Sequence, residues 1–146
     1  MAATVEDPFI GLAEAAAGLR DRTFSSQQLT QAALDRIAAT DESIHAFITV
    51  TDEKALAAAA EADSRLQSGD AGPLTGVPVA VKDVLSTAGV RTTCGSRMLE
   101  NYVPRYDATV VERLREAGAV VVGKTNMDEF AMGSSTEHSA FFTTGN

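Results

Sequence analysis

The chain has 146 residues, of which 45% are apolar and 22% charged, and 20 acidic against 12 basic side chains give a formal net charge of −8. That composition fits one modest globular domain, or a piece of a larger one, and the acidic balance argues against a nucleic-acid-binding surface, since phosphate contacts need clustered Lys and Arg. Cys94 is the single cysteine, which excludes an internal disulfide, and His45 and His138 lie far apart, so no zinc set is expected. Met1 to Asp7 carries neither a basic region nor an apolar one, so no secretory signal is read there. No run approaches the ~18 apolar residues of a membrane span. A reducing, cytoplasmic compartment without a membrane partner is the expectation.

In chain order, Phe9 to Leu19 is weakly periodic and alanine-rich, which predicts a first helix. Ser25 and Gln28 have the spacing of a capping box, and Phe24 and Leu29 that of a hydrophobic staple, so a second helix starts there. Leu29, Ala33 and Ile37 follow as its apolar stripe. Ile44 to Val50 is either a short extended segment or the approach to the next helix. Asp52 to Gln67, with Ala57 to Ala60 in succession, is a strong helix former ended by Ser68 to Pro73. These elements predict a helical layer over about 1–70.

The character then changes. Val77 to Val81 reads as a buried strand, with Pro78 near its start, where proline is tolerated. Asp107 is placed to cap a helix over Ala108 to Ala117, with Val110, Val111 and Leu114 inward and Gly118 as its stop. Ala119 to Val122 is a second buried strand leading into Gly123-Lys124-Thr125. Strand, helical crossover, strand makes a β-α-β unit over about 74–146 whose two strands should pair in parallel. The fold class is therefore α/β, and the polar stretch from Met132 onward is a loop after a strand, where ligands bind in such folds.

Several residues carry chemistry, each beside a plainer role. Lys82 ends the apolar run Val77 to Val81 and precedes Asp83. Burial disfavours the ammonium, so such a lysine is either one that loses its proton near neutral pH or one that snorkels to water, and the residues leave both open. Gly118 to Thr125 matches the spacing of a nucleotide phosphate loop. However, Ala119 to Val122 want to be the strand itself and cannot wrap phosphates, so that reading is rejected. Ser134 and Ser135 are nucleophile candidates or turn residues, and His138 is a surface histidine without a placed acidic partner. Cys94 has no sign of activation, and Asp128-Glu129 is read as a solvated or capping pair.

The segment GVPVAVKD (Gly76 to Asp83), with YDATVVERLREAGAVVVGKTN and TNMDEFAMGSSTE downstream, resembles the amidase signature family, and within it the A subunits of tRNA-dependent amidotransferases. The likeness runs at least from Leu74 to Ala140. It implies a mixed β-sheet flanked by helices and a serine–serine–lysine triad with one serine in a cis peptide. On it, Lys82 matches the triad lysine, and Met132, Gly133 and Ser134 match a substrate-lining segment. Neither Ser134 nor Ser135 matches a triad serine.

The resemblance implies a glutamine-hydrolysing protein that supplies ammonia for transamidation of misacylated Glu-tRNA(Gln) or Asp-tRNA(Asn). Its partners would be the other amidotransferase subunits of a hetero-oligomer. No cofactor or metal is expected in this chain, and tRNA, ATP and Mg would be handled through a partner subunit. Alternatives are an amidase of the same family acting on another small amide, or a non-catalytic fragment serving as scaffold. The family's glycine- and serine-rich signature is expected just beyond Asn146. The 146 residues would then be the N-terminal portion of one amidase-signature domain, inactive alone and exposing strand edges.

Overall fold

A computed structural model describes Val5 and residues 10–145. The start expected for the first helix at Phe9, and the residues other than Val5 that bear on the leader reading, lie outside the described residues. Helix α1 spans Leu12–Arg20, with the Glu14 carboxylate accepting from the Gly11 amide at 3.1 Å. Helix α2 spans Ser26–Ile44. Its capping box forms as expected: Ser25 Oγ accepts from Gln28 N at 3.0 Å and Gln28 Oε1 from Ser25 N at 2.9 Å. Phe24 and Leu29 are both buried in one cluster with Ala15, Ala16, Leu19 and Val77, which seats α1 on the start of α2.

The buried face of α2 differs from the expected stripe. Ser26, Leu29, Thr30 and Leu34 are buried, while Ala33 and Ile37 are half-buried. Leu34 packs with Ala55 and Ala59 of α3, Asp52–Ser68, and with Val120 and Val122 of the sheet. The stripe turned because α2 meets a helix and a sheet at once, which demands a face wider than one i+4 row.

Strand β1, Phe47–Val50, settles the open segment after α2 as extended, so the helical layer is interrupted by a strand. Strand β2 spans Pro78–Lys82 and β3 Val120–Thr125. The order is β1-β3-β2, with β2 parallel to β3 and β1 antiparallel to it, a small mixed sheet between helices. Both β1 and β2 present an edge. Gly123-Lys124-Thr125 lies inside β3, so no phosphate-wrapping loop exists there.

Helix α4, Thr109–Glu116, starts one residue later than expected and is capped differently. Ala108 is the N-cap and supplies no side chain, whereas Asp107 accepts from the Ala88 amide at 2.6 Å and pairs with Arg115 at 3.0 Å. Val111 is fully buried and Leu114 half-buried, but Val110 is exposed. A helix of eight residues has room for only a narrow inner face, and tertiary contact chose Val111.

Strand β2 also departs from expectation. Val81 is buried, but Ala80 and Lys82 are exposed. Side chains alternate along a strand, and among the described residues only one face of β2 is covered.

Candidate functional site

The parallel pair ends with Lys82 opposite Thr125 and Val81 opposite Lys124. Alternation therefore puts Lys82 and Thr125 on one face, Val81 and Lys124 on the other. Lys82, which the sequence leaves open between a buried base and a lysine snorkelling to water, is exposed on the open face, and among the described residues its amine makes no ion pair or side-chain hydrogen bond. The buried lysine is Lys124, with no exposed surface. Its Nζ donates to Leu85 O at 2.8 Å and Thr92 Oγ1 at 2.7 Å, and stands 3.4 Å from Asp83 Oδ1. Burial pushes the Lys124 ammonium below lysine's ordinary value, against the pull of the Asp83 carboxylate.

Two loops close over this end of the sheet. The first follows β2: Asp83 N donates to Thr125 O at 3.1 Å, and Cys94 N donates to Asp83 O at 3.3 Å. The second follows β3 and is hung on Asp128, which is almost fully buried. Asp128 Oδ2 accepts from Ser135 N (3.0 Å) and Thr136 N (2.9 Å), and Oδ1 from His138 N (2.8 Å). Those amides, His138 N foremost, hold its carboxyl below the usual carboxylate range, although burial acts the other way. Gly133 lies directly on this carboxylate. Phe130 N donates to Cys94 O at 2.8 Å and Ala140 N to Gly95 O at 2.8 Å, joining the two loops. A Cβ on Gly95 would meet Met127 O at 2.5 Å, and its φ is +66°, so the junction requires glycine.

The structure thus brings the expected residues to one end of the sheet in a chain of contacts: Lys82, the adjoining Asp83, Cys94, Phe130, then Met132, Gly133 and Ser134. The last three are exposed. Ser135 Oγ donates to Glu137 at 2.8 Å, a loop bond rather than a link to a base. Cys94 is half-buried, and burial, then Asp83, raises its thiol, which makes it a poorer nucleophile. Cys94, Phe130, Ala131 and Thr136 all have φ between +51° and +64°. Such backbone costs ~1–3 kcal/mol per residue and clusters where loops are held for function.

Three residues that build this end do not stand out as such in the sequence. All three fall within the segments that carry the family likeness, but there Lys124 reads only as a phosphate-loop lysine, Asp128 as half of a solvated or capping pair, and Asn126 is given no role. In the fold, Asn126 Nδ2 donates to Phe142 O (2.8 Å) and Thr144 Oγ1 (3.0 Å), while its Oδ1 accepts from Met127 N (2.9 Å) and Ser139 Oγ (2.7 Å). The available signal is position: a charged or amide residue inside or just after an all-apolar strand has to be paired.

The small mixed sheet between helices matches the fold of amidase-type structures. Residues 28–146 match the family described as Amidase, and the chain belongs to that family. It is 62% identical over 128 residues to the A subunit of glutamyl-tRNA(Gln) amidotransferase from Dehalococcoides mccartyi, covering 88% of this chain and 26% of that relative. The structure of the corresponding protein from Thermotoga maritima is 42% identical, with a TM-score of 0.75 over 98% of this chain and 28% of the other. Peptide amidase from Stenotrophomonas maltophilia is 39% identical, with a TM-score of 0.81 over 87% of this chain and 26% of the other. The chain spans about a quarter of the length of these relatives. Among the described residues, no helix is long and apolar enough to cross a membrane.

Proposed function

We propose that this chain belongs to the glutamine-hydrolysing component of an amidotransferase and carries the lysine of its triad. The observation that carries the reading is Lys82 itself. It ends β2 on the open face of the sheet with its amine unengaged among the described residues, at the same end as the Met132-Gly133-Ser134 loop. A structural lysine in this fold has another look, that of Lys124, buried and paired.

In this reading Lys82 is the ultimate base. A lysine in water, with a pKa of ~10.4, is protonated at neutral pH, so a base lysine needs surroundings that favour the neutral amine. Neutral Lys82 takes a proton from a middle serine, which takes one from the nucleophilic serine as its Oγ attacks the side-chain amide of glutamine. The tetrahedral intermediate is held by backbone amides and collapses to an acyl-enzyme, releasing ammonia with the transferred proton. Water then releases glutamate. Met132, Gly133 and Ser134 line the substrate. Both serines lie outside these 146 residues, so the chain alone is inactive. Ammonia passes to a partner subunit of the hetero-oligomer, which uses ATP and Mg²⁺ to amidate misacylated tRNA.

The test is glutamine-dependent ammonia release by the complete protein with its partners. Lys82→Ala should lower it by about 10²–10⁴-fold, the range of a lost general base; retained activity removes Lys82 from the mechanism. The isolated 146-residue chain should release none.

The likeness to peptide amidase favours a second reading, an amidase acting on another small amide without a tRNA partner. Strict preference for glutamine and co-purification with other amidotransferase subunits separate the first reading from it.

A further inference from the structure

Asp83 follows Lys82 directly and is completely buried. Its amide donates to Thr125 O at 3.1 Å and its carbonyl accepts from Cys94 N at 3.3 Å. Oδ2 accepts from Thr93 N at 2.8 Å and Thr93 Oγ1 at 2.5 Å. Oδ1 has no hydrogen bond among the described residues and faces the Lys124 ammonium at 3.4 Å. With Lys124 also bound to Leu85 O and Thr92 Oγ1, one ion pair ties the end of β2, the end of β3 and both arms of the intervening loop.

Stability alone is a poor reason for this arrangement, because desolvation of two buried charges offsets their attraction and apolar replacements often do as well. The register gives a better one. Lys124 and Val81 occupy the face opposite Lys82 and Thr125, so the pair stands behind the strand end that carries Lys82. The pair lies on the face away from Lys82, so its most direct link to chemistry on the open face is the strand end that carries Lys82.

We propose that Asp83 and Lys124 are positioning residues for Lys82: the buried pair fixes the strand end from which its amine projects and keeps the charge behind it balanced. The inference rests on Lys82 being the base. The other ionisable groups that neighbouring elements bring to this end are occupied or remote from the charge balance. Arg91 donates to Glu100 O at 2.6 Å, Asp128 holds three loop amides and Glu129 accepts from Ser96 Oγ at 2.6 Å. Cys94 is the remaining group bearing on the pair, and its raised thiol is neutral at working pH.

Removing the Lys124 cation leaves Asp83 with only its two Thr93 hydrogen bonds to hold the ionised form; retained as a carboxylate on those bonds, it favours the protonated Lys82 amine. A purely mechanical brace would change the rate without moving its pH dependence.

The experiment measures kcat and KM for glutamine hydrolysis against pH in the complete protein with its partners. Lys124→Met should move the acid limb of kcat/KM upward by about half a pH unit or more. Lys124→Arg, which keeps the cation, should leave the limb in place. The double variant Asp83→Asn/Lys124→Met, which removes both charges, should return the limb to its original position. Its kcat should still fall by about tenfold with KM unchanged, since the strand end is no longer fixed.

An unmoved limb in folded Lys124→Met, or a limb still shifted in the double variant, overturns the charge balance. Full kcat in the double variant overturns the positioning. If Lys124→Met does not fold, the double variant alone decides through its kcat. Activity in Lys82→Ala is a different failure, that of Lys82 as the base.

Discussion

Gly133 rests against the carboxylate of Asp128 so closely that a Cβ on it would lie 2.5 Å from Asp128 Cγ and 2.7 Å from Oδ2. The loop proposed to line the substrate is therefore seated on the one side chain that gathers its amides. Gly133→Ala must push Asp128 off Ser135 N, Thr136 N or His138 N. We expect KM for glutamine to rise by about tenfold while kcat changes less, since binding is lost more than chemistry. Steady-state kinetics of the complete protein checks this; an unchanged KM removes the loop from the binding surface.

Asp128 also gives the loop a pH dependence of definite sign. Its folded carboxyl sits below the ordinary value of 3.8, so its contribution is present above that pH and is lost as pH falls through the folded value. Hydrogen exchange at the amides of Ser135, Thr136 and His138, corrected for intrinsic rate, should show protection at about pH 6 that fades in strong acid. Asp128→Asn should flatten this dependence. Equal fading in the variant would assign it to another group.

Helix capping offers a contrast between two residues with similar sequence credentials. Ser25→Ala removes a formed cap and should cost about 1 kcal/mol. Asp107→Ala removes no cap, and its partner Arg115 is 43% exposed, so that ion pair contributes little after solvent screening. What Asp107 does hold is the Ala88 amide, and the loss should show there as faster hydrogen exchange. Denaturant midpoints of both variants, with exchange at Ala88, test the distinction.

The core makes a similar contrast. Leu34→Ala opens a cavity where α2, α3 and β3 meet and should cost about 2–5 kcal/mol. Val110→Ala, on the exposed side of α4, should cost about 0.5 kcal/mol or less. Comparable losses in the two would mean that α4 buries a different face in solution.

Much of the fold can be read along the chain. Three of the four helices announce themselves by clear local means: Ser25 with Gln28, the alanine run 57–60, and Gly118 at +90° after α4. The parallel β-α-β unit follows from two apolar runs with a helix between them, and β3 proves long enough to take in Gly123-Lys124-Thr125. What cannot be read is which side of each element will be covered. Lys82 and Lys124 both lie at the ends of short apolar runs, and their neighbours give the same argument for burial. Only the pairing of Val81 with Lys124 puts one lysine in the core and the other on the open face.

Sequence by itself thus determined the helices, the two parallel strands, their order and the family likeness, because capping, periodicity and motif are properties of neighbouring residues; strand β1 it left open. Tertiary structure decided which lysine is buried, that Asp107 serves the 88 amide rather than a helix, and that Asp128 organises a loop rather than facing water. Those outcomes depend on contacts between segments about 10 to 40 residues apart, such as Asp83 with Thr93 and Leu85 with Lys124, where burial forces each polar group to find its partner.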